Sequence, residues 1–257
     1  ENNQLPDDKK FVQSLVTDNP FISKHYIENL KSLDLVSRAR LLEGNWRYDN
    51  DPSKLIEYDK IINAFSNNFV EHGEKYISAD IARFGSDKAV LMVWSGFRVE
   101  KIVSFETSSI TDLTAAIKRL MTDYAVPISN VIADEDGVGG GVVDILKCKG
   151  FVNNGKPLPN ADKNQENYKN LKSQCYFHLA KLIGDDKIFI NATEADKEQI
   201  IPELEQVKRY KIDSDDKLSV LPKEKVKELL GRSPDFADAL MMRMYFDLKP
   251  QKEHFFF

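Results

Sequence analysis

The sequence predicts an α/β domain: a central mixed sheet with helices on both faces, preceded by a helical N-terminal extension. Three observations predict it. From Lys75 onward, short apolar runs of strand length alternate with stretches of helical period. Two of those runs are joined by Ser95-Gly96-Phe97, a hairpin signal, so part of the sheet is antiparallel. The chain then returns to helical periodicity after Ser233-Pro234, which reads as a helix start.

The elements follow in order. From about Phe11 to Asn67 the chain is polar and helix-rich, with Asp18-Asn19-Pro20 as a turn and helix-start signal. Tyr26, Ile27, Leu30 and Leu33 recur at helical spacing, Arg38 to Leu42 continue the pattern, and Gly44-Asn45-Trp46 breaks it. This region is too short and polar for an independent domain. Residues 1–68 are therefore assigned to an extension, 69–250 to the main domain and 251–257 to a tail. Within the main domain, Tyr76 to Ala82, Ala89 to Trp94, Arg98 to Phe105 and Val131 to Asp134 read as strands. Thr111 to Tyr124 is an amphipathic helix carrying Leu113, Ile117 and Leu120. Gly137 to Gly141 is a tight glycine-rich turn that opens a helix over Val142 to Lys147. A polar loop (Asn153 to Asn167), a helix (Leu171 to Ile183), a short strand (Lys187 to Ile190) and a helix (Glu194 to Tyr210) come next. Lys208 to Pro222 reads as a strand pair around a turn at Asp213 to Asp216, and the last helix runs to Phe246.

Composition narrows the classes. The 257 residues are 42% hydrophobic, enough for a packed core. No apolar run approaches the roughly 20 residues that span a bilayer, and the polar start, Glu1 to Lys10, does not read as a signal peptide. The first residue is not Met, so a piece of a longer protein is expected. Cys148 and Cys175 are the only cysteines, which argues against a disulfide framework; with four His they argue equally against a zinc cluster. A reducing, cytoplasmic setting is the default. The net charge of -5 and pI near 5.5 weigh against nonspecific DNA binding. A protein that concentrates carboxylates around divalent cations would nonetheless carry such a charge.

The placement of acids carries the chemistry. Asp80 lies in or at the end of the first strand, and Asp134 ends the fourth. Asp235 and Asp238 open the last helix one turn apart and share a face. A single Asp ending a strand is ordinarily a turn or cap residue, and Asp235 alone is a first-turn acid favoured by the helix dipole. Together, on a strand–strand–helix framework, they form a set that would repel unless cations joined them. Two Mg²⁺ or Mn²⁺ ions suit such oxygen ligands, activating water and stabilising a leaving oxygen in phosphodiester cleavage.

The order of elements is similar to the ribonuclease-H-like plan. Three segments resemble the acidic motifs of the nuclease domain of viral large terminase subunits. They are Ala79-Asp80-Ile81-Ala82-Arg83-Phe84-Gly85-Ser86-Asp87, Asp134-Glu135-Asp136-Gly137 through Asp144 with its glycine-rich turn, and Ser233-Pro234-Asp235-Phe236-Ala237-Asp238-Ala239-Leu240. Thr17-Asp18-Asn19-Pro20, Tyr26, Leu30 and Gly44-Asn45-Trp46 resemble the stretch that follows the family's ATPase domain, making residues 1–68 a linker from it. The resemblance covers roughly Asp18 to Phe246. It implies Asp80 as a ligand of both metals, Asp134 as the second ligand, and Asp238 or Asp235 as the third, with the choice between them open. Asp87 joins the set if the Arg83-to-Ser86 turn folds it back; a plain hairpin role is the equal alternative. Glu135 and Asp136 have uncertain strand phase.

Endonucleolytic cutting of double-stranded DNA during viral genome packaging is the activity implied, in host cytoplasm and with no membrane role. The implied partners are a motor ATPase domain of the same polypeptide, a small terminase subunit and a portal. No G-x-x-x-x-G-K-[ST] phosphate loop is present, so no ATPase activity is expected of this chain. Lys208, Arg209, Lys211, Lys223 and Lys225 are candidates for phosphate contact. The interleaved Asp213, Asp215, Asp216, Glu224 and Glu228 make a solvated charged face the alternative. Tyr168, Asn170 and Lys172 also resemble a family motif, structural or near the DNA groove. The third motif is similar too to the last acidic helix of Holliday-junction resolvases. A resolvase- or transposase-like nuclease and a noncatalytic docking module are the alternative functions.

Overall fold

The computed structural model describes residues 15–23, 26–27, 51, 53–82, 87–159, 167–210 and 217–249. The chain divides into two units, Glu1–Pro52 and Ser53–Phe257. In the first, Val16–Asp18 forms a single 3-10 turn whose amide at Leu15 donates to the Asp18 carboxylate at 2.7 Å. The expectations for Leu30, Leu33, Arg38 to Leu42 and Gly44 to Trp46 lie outside the described residues, as do those for Lys211, Asp213 to Asp216 and the 251–257 tail.

The second unit is built on six strands: β1 (Lys75–Asp80), β2 (Ala89–Ser95), β3 (Arg98–Phe105), β4 (Val131–Asp134), β5 (Lys149–Phe151) and β6 (Phe189–Ile190). Their order across the sheet is β5-β4-β1-β2-β3-β6. β1, β2 and β3 pair antiparallel through the expected hairpin, where Gly96 takes φ +62°, a conformation that favours glycine. β4 pairs parallel with β1, β5 with β4, and β6 with β3.

Alternation along the strands sorts side chains to two faces. Ile77, Ala79, Leu91, Val93, Val131 and Ala133 form one core with α2 (Ile110–Tyr124) and α3 (Gly140–Leu146). Val90, Met92, Trp94 and Ile132 form the other with α4 (Leu171–Gly184), α5 (Glu194–Glu205) and α7 (Asp235–Met242). Both faces are covered, which is why β2 is buried at every position. The first turns of α2 and α5 are fixed by capping boxes, Ser109 with Asp112 and Thr193 with Asp196.

Several details differ from the sequence reading. Residues 53–67, placed with the extension, belong to the compact unit, where α1 (Tyr58–Asn63) buries Ile61 in the core beside Ile56. β5 was not foreseen. The helix expected to reach Tyr210 ends at Glu205, and the segment beyond it makes isolated bridges, Lys208 with Lys54 and Arg209 with Val220, in place of a regular strand pair. A helix not expected, α6 (Lys223–Leu230), comes after them and is stopped by Gly231 at φ +72°. The last helix is two pieces, α7 and α8 (Met244–Leu248). They meet at Arg243, whose guanidinium lies 3.8 Å from the centre of the Tyr76 ring and donates to the Gly96 carbonyl at 3.0 Å.

Candidate active site

Register decides which acids share a face. Ser78 pairs with Ile132 and Ala79 with Ala133 in the parallel β1–β4 ladder. One step further along the same ladder stand Asp80 and Asp134. Both alternate with residues of the α2–α3 core, so both turn to the opposite face. That face is where α7 crosses β1, β2 and β4. Asp235 and Asp238 lie in the first turn of α7 and are buried with Phe236 and Ala237. Asp80, Asp235 and Asp238 are each only 4% exposed.

Each acid is held differently. The Asp238 carboxylate accepts from the Tyr176 hydroxyl at 2.6 Å and from Lys172 Nζ at 2.8 Å, both on Oδ1, while Lys223 Nζ lies 3.4 Å from Oδ2. Asp235 Oδ2 accepts the backbone N–H of Lys88 at 2.8 Å. Asp134 Oδ1 accepts the backbone N–H of Asp136 and the side-chain amide of Asn153, each at 3.2 Å. The turn after Asp134 is tight enough that a Cβ on Gly139 would come 1.9 Å from the Asp134 carbonyl oxygen, so glycine is required there.

The electrostatics are those of crowded, dehydrated charge. Burial pushes the Asp80 carboxyl well above the usual range, and Asp238, Asp235 and Asp134 push the same way against the pull of Lys223. Burial raises Asp134 to about 6, with Asp136 and Asp238 adding to it. Asp235 is raised for the same first reason. Asp238 goes the other way: burial would raise it, but Lys172 and Lys223 outweigh that and hold it low. Lys223, pulled down by burial, is raised overall by the four acids that surround it. The cluster is thus four carboxylates served by two ammonium groups.

The other sequence candidates separate. Asp87 influences Asp235, but its carboxylate is held at 2.9 Å by Lys227. Glu135 turns away against Gly150, whose missing side chain gives it room. Asp136 accepts from the Asn153 amide in the loop, at 2.9 Å. Among the basic residues, Lys223 turns into the acid cluster, and Lys225 Nζ lies 4.8 Å from the centre of the Tyr210 ring. Lys208 and Arg209 sit in backbone bridges, and Lys211 is outside the described residues.

Tyr176, Asn153 and Glu203 were not singled out from sequence. Glu203 on α5 is fully buried, pairs with Arg232 and accepts the Ala237 N–H at 2.7 Å, so it satisfies an open donor at the start of the helix that carries two of the acids. The only sequence signal for Tyr176 is its place one helical turn after Lys172. A cavity of about 370 Å³ opens beside Asp134 and is bounded by Asn153, Asn170, Lys172 and Lys223.

The donor set suits hard divalent cations: carboxylate oxygens only, mostly buried, and short of positive charge. Among the described residues, however, no three acids stand close enough together to ligate one ion as they lie. The ammonium groups of Lys172 and Lys223 supply the countercharge instead.

No protein-family model matches the sequence, and no curated protein does. Solved structures do. The nuclease domain of the large terminase subunit of bacterial virus Sf6 superposes with a TM-score of 0.64 at 21% identity, over 74% of this chain and 98% of that one. A point mutant of that domain solved with manganese and β-thujaplicinol gives the same TM-score of 0.64, identity of 21% and coverage of 74% and 98%. The same mutant with calcium repeats all four figures, 0.64, 21%, 74% and 98%. At this identity the likeness is one of fold. The mixed six-stranded sheet with helices on both faces is the ribonuclease-H-like arrangement of those nuclease domains.

Proposed function

We propose that this chain is the nuclease part of a viral DNA-packaging enzyme, cutting double-stranded DNA by two-metal phosphodiester hydrolysis. The observation that carries the reading is the gathering of Asp80, Asp134, Asp235 and Asp238 from three distant stretches of chain onto one sheet face, at a large cost in dehydrated charge. Proteins keep such arrangements at working sites. The shared fold with the Sf6 terminase nuclease domain supports the choice of reaction, and the manganese- and calcium-containing forms of that domain support divalent cations.

Asp80 and Asp134, with Asp235 or Asp238, would hold the ions. When bound, the ions supply an activated water and stabilise the leaving oxygen. The chain's own residues do the rest. The β1 and β4 ends hold two carboxylates on a rigid sheet, and α7 brings the third and fourth. Lys172 and Lys223 neutralise enough charge for the acids to fold together before any ion binds. Of the two α7 acids, Asp235 has the less compensated carboxylate and is the third ligand we favour, since two ammonium groups already serve Asp238. Asp87 is a lesser candidate because it is paired with Lys227.

The reading carries its partners with it. Double-stranded DNA would meet Lys208, Arg209, Lys211 and Lys225 through phosphate contacts, which give affinity without sequence preference. Residues 1–52 would lead from a motor ATPase domain of the same polypeptide, which would work with a small subunit and a portal in the host cytoplasm. The test is plasmid cleavage by the purified chain with Mn²⁺ or Mg²⁺. Cutting is expected with either ion, is abolished by chelator, and is lost in Asp80→Asn. Cleavage that survives excess chelator would overturn the mechanism.

A further inference from the structure

Resting on the metal-nuclease reading, we infer that Asn153 is a positioning residue for Asp134: its side-chain amide fixes one carboxylate oxygen and leaves the other to face the acid cluster. The sheet topology makes this possible. β4 and β5 are parallel neighbours, with Asp134 opposite Phe151, so the chain leaves both strands at the same edge. Asn153, two residues past Phe151, therefore stands beside the acid that ends β4.

The contacts are specific. Asn153 Nδ2 donates to Asp134 Oδ1 at 3.2 Å and to Asp136 Oδ2 at 2.9 Å. The Asn153 backbone N–H donates to the same Asp136 oxygen at 3.0 Å. Asp136 in turn donates its own N–H to Asp134 Oδ1 at 3.2 Å. Among the described residues, both hydrogen bonds that Asp134 accepts fall on Oδ1. An aspartate carboxylate otherwise turns easily about its last torsion. Two donors on one oxygen restrict that rotation and leave Oδ2 for the cluster.

Asn153 is itself fixed from the far side. Its backbone carbonyl accepts the Lys172 N–H at 3.2 Å, and the Asn170 side chain donates to Asn154 Oδ1 at 3.1 Å. The first turn of α4, which sends Lys172 to Asp238, is thereby tied to the loop that orients Asp134. The residue type matters as well. A carboxylate at position 153 would face Asp134 and Asp136 with no proton to give, whereas an amide donates to both. Groups that hydrogen-bond a metal ligand without touching the metal commonly set affinity by about 10–100-fold.

The test uses the whole chain and Mn²⁺ alone as the probe, by calorimetric titration without DNA. Asn153→Ala is expected to weaken Mn²⁺ binding by about 10-fold or more. Its plasmid cleavage should recover as Mn²⁺ is raised, and its melting temperature in chelator should stay close to wild type. Asn153→Gln, which keeps an amide donor on a longer arm, should regain part of the affinity, and Asn153→Asp should lose more than Asn153→Ala. The Gln and Asp variants decide the matter if the alanine variant folds poorly. Wild-type affinity for Mn²⁺ in both Asn153→Ala and Asn153→Asp overturns the inference, as does a loss that tracks only a lowered melting temperature. A wild-type chain that binds no Mn²⁺ and cuts no plasmid overturns the metal-nuclease reading and this inference with it.

Discussion

Asp134→Asn separates a carboxylate kept for cations from one kept for the fold. The substitution preserves Oδ1, which accepts the Asp136 N–H and the Asn153 amide, and removes only the charge. Burial, with Asp136 and Asp238, raises this carboxyl from 3.8 to about 6. A raised folded-state value means the native protein holds a proton that the unfolded chain has released. The associated stability is therefore full below the unfolded value of 3.8 and lost as pH climbs through about 6. About two pKa units at 1.36 kcal/mol each set an upper bound of about 3 kcal/mol on the cost of the charge at pH 8. Partial solvent access and adjustment of the neighbouring acids bring the expectation to about 1–3 kcal/mol. For a unit of this size that is roughly 2–12 °C in melting temperature. The assay is thermal unfolding of wild type and Asp134→Asn in chelator at pH 8 and pH 5, with plasmid cleavage in Mn²⁺ alongside. The variant should melt higher at pH 8, show about half that gain at pH 5, and cut nothing. A variant that melts lower at pH 8, or a gain equal at both pH values, would refute the charge-crowding account.

Tyr176→Phe removes a 2.6 Å hydrogen bond to Asp238; with Lys172 and Lys223 still in place, denaturant unfolding should show a loss of about 1–2 kcal/mol. Glu203→Ala leaves the Ala237 N–H and the Arg232 charge without their acceptor, and should cost about 3 kcal/mol in the same measurement. Burial raises Glu203 to about 7, so the uncharged Glu203→Gln should cost distinctly less near neutral pH; equal losses would show that its charge matters more than its acceptor geometry. Gly139→Ala drives a Cβ against the Asp134 carbonyl and should destabilise by roughly 1–3 kcal/mol or more, with weakened Mn²⁺ binding; an unchanged melting temperature would show that the turn can yield.

The sequence by itself determined the architecture's outline and the acids worth watching. Strand runs such as Ala89 to Trp94, the hairpin at Gly96 and the amphipathic helix carrying Leu113, Ile117 and Leu120 are local patterns, and the fold respects them. Asp80 and Asp134 were legible only as members of a set: each alone reads as a turn or cap residue, but two strand-end acids with Asp235 and Asp238, one turn apart on the last helix, call for cations. The glycine run after Asp134 announced its tight turn for the same local reason.

Only the tertiary structure decided what the acids meet. Lys223 to Leu230 alternates charges and reads as a solvated face, yet Lys223, still 35% exposed, turns its ammonium toward the acids, because four carboxylates offset the hydration it gives up. Tyr176 looks like any core aromatic until α7 sets Asp238 against its hydroxyl. β5 is three residues long and contains Gly150, so its strand character comes from pairing with β4 and has no periodicity of its own. That pairing is also what places Asn153 beside Asp134. Periodicity is fixed by neighbours in the chain; countercharge and ladder register depend on segments tens of residues away, and those distances close only when the sheet forms.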